Sequence, residues 1–218
     1  MSLSDDLREG VGPLWDGVVK HPFVIELGDG TLPKEKFRVY FEQDYLFLKD
    51  WVKLLGLGVA KSPNFDSARS ICSFLNGGLI GEEALFRQVF ADMGLSDADV
   101  SALRPLPTTL AYGGYLKSIA FEGSYLEIAT ALLAIEWPYL QWAQDLNAAG
   151  KRPSNPHYQA WIDIHDSQAM RDIVDAMRRD IDTTGEPCRE RLWDVFHRAM
   201  RYERLFWEMP YRGEAWPA

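Results

Sequence analysis

The chain has 218 residues and a formal net charge of −9, with 47% hydrophobic and 25% charged residues, enough to bury a substantial core. The only basic neighbourhoods, Arg189–Arg191 and Arg198–Arg204, lie among Glu190, Asp194, Glu203 and Glu208; they read as an ion-paired helix face, which leaves nucleic acid no basic surface to bind. The polar start MSLSDDLREGVG, the lack of any apolar run near ~18 residues, and two cysteines with neither disulfide nor zinc spacing together predict a cytoplasmic protein without membrane contact.

Helix-period segments dominate and strand-like alternation is almost absent, which predicts an all-α fold and a single domain over residues 1–218. An opening helix spans about Ser4 to Val19. The stretch HPFVIELGDGTLP follows as a loop, turned at Gly28, Asp29 and Gly30, with Thr31 as the cap of a long aromatic helix that runs to about Ala60. A third helix covers about Phe65 to Met93, weakened at Gly77–Gly78; Cys72 falls on its Phe65, Ala68, Leu75, Leu79 stripe and is expected in the core. Ser96 with Asp99 makes a capping-box start for a short helix, which Pro105 and Pro107 end. The next helix carries Tyr112, Tyr115 and Ile119 on one face, and Gly123 separates it from the helix that holds Glu136. Gly150, Pro153 and Pro156 form a connector, with Asn155 capping a segment that bears Tyr158, Trp161, Ile162 and His165. Helices near Ser167–Ile181 and Pro187–Met209 complete the set, with Cys188 at the start of the last, where a thiol can be acidified.

Three carboxylates interrupt apolar stripes. Asp44 sits within Phe37, Phe41, Leu48, Trp51 and Leu55; Glu136 within Ala129, Leu133, Leu140 and Ala143; Glu203 within Leu192, Phe196, Ala199 and Phe206. One such acid is usually paired or capped, because a buried charge without a partner is costly. Three, each flanked by aromatic residues, point instead to a ring-lined pocket for a small planar, nitrogen-rich ligand. The sequence has no HExxH, GxxxxGKS or GxGxxG, no nucleophile elbow, and no ExxH pairing among His21, His157, His165 and His197, so no metal and no cofactor are expected.

The string HPFVIELGDGTLPKEKFRVYFEQDYLFL at 21–48, AIEWPY at 134–139 and YERLFWEMPY at 202–211 resemble the TenA/thiaminase II family, and the likeness spans nearly the whole chain. The resemblance implies a heme-oxygenase-like helical bundle, a homo-oligomer arranged as a dimer of dimers, and hydrolysis of 4-amino-5-aminomethyl-2-methylpyrimidine, or a related modified pyrimidine, to the hydroxymethyl compound and ammonia in thiamin salvage. It places the pyrimidine-gripping aspartate on Asp44, pocket tyrosines on Tyr112 and Tyr139, a catalytic glutamate on Glu203 and a ring-packing phenylalanine on Phe206. Phe47 and His165 stand where pocket tyrosines are expected, and Ile135 stands where one branch has its nucleophilic cysteine. Glu136, one residue on, resembles the branch without the thiol and is the second catalytic candidate. Two other accounts remain open on the sequence: a non-heme iron oxygenase on the same fold, and a non-catalytic pyrimidine-binding or regulatory protein.

Overall fold

The computed structural model describes residues 2–217, and every regular element among them is helical. The opening segment is two helices rather than one, α1 (Leu3–Gly10) and α2 (Pro13–Val19), because Pro13 starts a new first turn where its missing N–H is harmless. The expected loop at 21–33 is in fact a third helix, α3 (Pro22–Asp29). Pro22 occupies its first turn, His21 accepts from the Phe23 N–H, and Phe23, Val24 and Leu27 are buried. Gly30, in the left-handed region at φ 71°, ends it, and the Thr31 N–H bonds back to the Glu26 carbonyl. Thr31 therefore closes α3 instead of capping the next helix, whose N-cap is Pro33.

The long aromatic helix is α4 (Lys34–Lys61). The predicted third helix is divided into α5 (Phe65–Gly77), a π-helical turn (Gly78–Glu82) and α6 (Glu83–Asp92). Its apolar stripe is not its buried face. α5 packs through Ser67 and Ile71, leaving Phe65 83% exposed and Cys72 exposed, so the expected core position of Cys72 is corrected. Cys72 lies about 100° around the helix from Ile71, which is why one faces α4 and the other solvent. The Ser96 and Asp99 capping box is present at α7 (Asp97–Ala102). α8 (Pro107–Glu122) then leads to α9 (Tyr125–Ala148), entered through a second capping box of Ser124 and Glu127. After the connector come α10 (Pro156–His165), capped by Asn155, and α11 (Gln168–Thr184). A short 3-10 turn (Glu186–Cys188) precedes α12 (Arg189–Arg212), and Cys188 is half-buried at its N-cap.

α9 is the central post. It is buried nearly all round from Ile128 to Ala143, packing on α11 and α12 and also against α4. Leu132 and Leu133 lie on different sides of it and both are fully buried; each such side chain contributes about 1.5–3 kcal/mol. α4 pairs most closely with α8, and the buried apolar side chains form one contiguous cluster. The basic neighbourhoods are ion-paired, as expected: Arg189 with Asp6 and Glu186, Arg191 with Glu127, Arg198 with Asp194. Among the described residues no helix is long and apolar enough to cross a membrane.

Candidate active site

A cavity of about 190 Å³ opens where α4, α8, α9, α10 and α12 meet the π turn, a volume suited to one substituted six-membered ring. Asp44, Glu136 and Glu203, which come from three separate helices, all line it. So do the other expected site residues, Phe47, Tyr112, Tyr139, His165 and Phe206.

Each acid has a different setting. Glu136 is 6% exposed, and its Oε1 accepts from Trp51 Nε1 at 2.8 Å; burial pushes its pKa up to about 8 against the pull of that bond. Glu203 is 2% exposed and accepts from the Tyr112 hydroxyl at 2.5 Å; burial raises its pKa well above the usual range, the Tyr112 bond opposing and the Glu136 and Asp44 charges adding to the rise. Asp44 is half-buried. Burial again raises its pKa strongly, with the Glu82 charge next in importance and the Tyr40 hydroxyl opposing. These positions follow from helical periodicity, since each acid fills the gap in a stripe that the neighbouring helices bury.

The rings form two clusters joined by the Tyr40–Phe206 edge contact at 5.9 Å. Phe47 lies 4.8 Å from Tyr112 and 5.2 Å from Phe206, centroid to centroid, while Tyr112 is stacked on Tyr202 at 4.9 Å with an interplanar angle of 8°. Tyr139 stands 4.9 Å from His165 and shares a 3.1 Å hydroxyl contact with Tyr40. His165, at 7% exposure, has its pKa lowered to about 4 by burial, so its ring is neutral near pH 7. Its Nδ1 lies 2.8 Å from the Trp161 carbonyl, and a carbonyl only accepts; Nδ1 therefore carries the proton and Nε2 keeps a lone pair.

Sequence reasoning missed Glu82, which lines the same cavity as a fourth acid. Its signal was the run GGLIGEE, which reads as no more than a weak point in a helix, whereas a π turn often marks a functional position. It also missed what Trp51 does: on periodicity one more apolar stripe member, it is the donor that orients Glu136. Among the described residues no Lys or Arg lines the cavity, and neither cysteine does. Among the described residues no group of three or more His, Cys, Asp or Glu side chains is arranged to hold a metal ion. A cavity charged only by carboxyls favours a neutral ligand with several N–H donors, or a cation.

Residues 8–213 match the model of the TENA/THI-4/PQQC family. The chain belongs to that family. A family relative from Halalkalibacterium halodurans named aminopyrimidine aminohydrolase is 30% identical, with 99% of this chain and 98% of that protein covered. A TenA homologue from P. horikoshii OT3 superposes with a TM-score of 0.89 at 27% identity, covering 98% of this chain and 100% of that one. A domain with a heme oxygenase-like fold from Shewanella denitrificans gives 0.74 at 18% identity, over 98% of this chain and 93% of its own, a likeness of fold alone. The helical architecture expected of the family is thus the one found.

Proposed function

We propose that the chain is an aminopyrimidine aminohydrolase of thiamin salvage, working without a catalytic thiol, as in the branch of the family that lacks the cysteine. The observation that carries this reading is the ring-walled cavity whose charged lining consists of carboxyls alone. In this reading the pyrimidine lies among Tyr112, Tyr139, Phe206 and Phe47. Asp44 accepts from the exocyclic amine and the protonated ring nitrogen, a two-bond match to an amidine-like edge. Glu136 in its ionised form takes a proton from water as the oxygen bonds to the methylene carbon. The substrate amine is bound as ammonium, so the C–N bond breaks with its electron pair going to nitrogen and neutral ammonia leaves. It takes up the proton that Glu136 removed from water and departs as ammonium, which restores the Glu136 carboxylate, while Glu203, braced by the Tyr112 hydroxyl, carries proton traffic at the ring. His165 offers its Nε2 lone pair to a ligand N–H or a water molecule.

The test is ammonia release from a panel of 5-substituted 4-amino-2-methylpyrimidines. Turnover is expected on the aminomethyl compound, with thiamin cleaved poorly because no thiol adds to the ring. Efficient thiamin cleavage, or no release from any member, contradicts the reading.

A cytoplasmic homo-oligomer, a dimer of dimers, belongs to the same proposal. Ile80 and Phe121, both mostly exposed in the lone chain, favour burial against another copy. Light scattering at micromolar concentration is expected to give a multiple of the 24.9 kDa chain mass, and a clean monomer would contradict it.

A further inference from the structure

We propose that Glu82 is a specificity-determining residue of this cavity: it receives the ammonium of the pyrimidine's 5-aminomethyl group and makes the site prefer a charged 5-substituent to a neutral one. The inference rests on the function proposed above and deepens it.

Glu82 closes the π turn Gly78–Glu82, and the extra residue in such a turn rotates the side chains beyond it relative to those before it. Two adjacent acids at its end point about 100° apart, as neighbours on a helix do. Glu83 reaches outward to Arg87 at 2.6 Å, whereas Glu82 turns inward and lines the cavity with no cation beside it. A Cβ added at Gly78 would lie 2.7 Å from Trp51 Cη2 and 3.7 Å from Glu82 Oε2, so only glycine lets the turn come this close to the indole. The Glu82 carboxylate thus sits over Gly78 near the six-membered edge of Trp51, whose Nε1 holds Glu136. The indole that Gly78 approaches is the one that fixes Glu136.

Glu82 shares the cavity with Asp44, the acid proposed to read the amino edge, and Glu136, the acid proposed to activate water, and its charge raises the pKa of both. The 4-amino group and the 5-substituent are on neighbouring ring carbons. With Asp44 on the amino edge, the acid beside it therefore meets the 5-substituent. Burial raises Glu82 to about 7, and a bound ammonium would supply the countercharge that favours its ionised form. An independent sign of a polar ligand here is His165, more than nine-tenths buried in the same cavity with its Nε2 unpartnered.

The test compares wild type with Glu82→Gln, which keeps the size and removes the charge. Affinity is measured by calorimetry for the 5-aminomethyl and 5-hydroxymethyl pyrimidines, and kcat/KM for the 5-aminomethyl and 5-formamidomethyl ones. Glu82→Gln is expected to weaken the aminomethyl compound about tenfold or more, as loss of a charge-assisted bond would, with the hydroxymethyl compound within about threefold. The kcat/KM preference for the charged over the neutral substrate falls with it, and Glu82→Asp restores part of the preference. A merely structural role would weaken all ligands together, and that result, or an unchanged preference, overturns the inference while leaving the proposed function standing. Wild-type protein that neither binds nor turns over any of these compounds overturns both.

Discussion

Replacement of Glu136 by Gln is expected to lower turnover of the aminomethyl pyrimidine by about two orders of magnitude or more, the usual scale for removal of a general base. The amide keeps an oxygen to accept from Trp51 Nε1, so the side chain stays where the carboxylate was and only its basicity is lost. Because burial lifts this group from 4.5 to about 8, the base is largely protonated at pH 7 in the free enzyme. The wild-type kcat/KM should therefore climb with pH through that region, and the limb should vanish in Glu136→Gln. Stability moves the other way. An acid whose folded pKa is raised contributes fully below its unfolded value, and that contribution is lost as pH rises toward the folded one. Above about pH 8 the variant should thus melt higher than wild type, by an amount of the order of a few kcal/mol at most. Melting curves at pH 5 and pH 9 read this directly: a variant less stable than wild type at the higher pH would contradict the account of why Glu136 is strained.

Asp44→Asn is expected to act on binding as well as turnover. In the proposed pose the carboxylate meets a ligand edge that only donates, while an asparagine presents one acceptor and an N–H₂ directed at another donor. Loss of a charge-assisted pair of this kind corresponds to about 1.5–3 kcal/mol, or one to two orders of magnitude in affinity. Calorimetric titration with the aminomethyl pyrimidine checks it, and an unchanged affinity would remove Asp44 from the recognition proposed for it. Together the two variants separate a residue that holds the ligand from one that acts on it.

The three acids of the apolar stripes were legible because each breaks a helical repeat that burial enforces, and a repeat exposes its exceptions. Phe47, Tyr112, Tyr139, His165 and Phe206 were legible through the resemblance; periodicity alone does not distinguish a cavity ring from a core ring. Glu82 was not legible. It follows three glycines in a segment where the helix changes from α to π, so no stripe extends into it and its facing cannot be counted from either side. Cys72 was misplaced for a related reason: the apolar residues of α5 suggest one buried face, but the helix packs through Ser67 and Ile71 and leaves Phe65 in solvent. At α3, Pro22 and Gly30, which read as parts of a loop, are the start and stop signals of a short helix, and Gly28 is buried within it. In each case what the sequence does not state is which neighbour a segment packs against.

The most direct test of a carboxylate-driven, thiol-free hydrolysis is ammonia release at saturating aminomethyl pyrimidine, by wild type and by Glu136→Gln, with ligand affinity determined by calorimetry on the same preparations. The predicted result is affinity preserved within a few fold and turnover lowered about a hundredfold or more. Equal turnover in the two proteins would contradict the role given to Glu136.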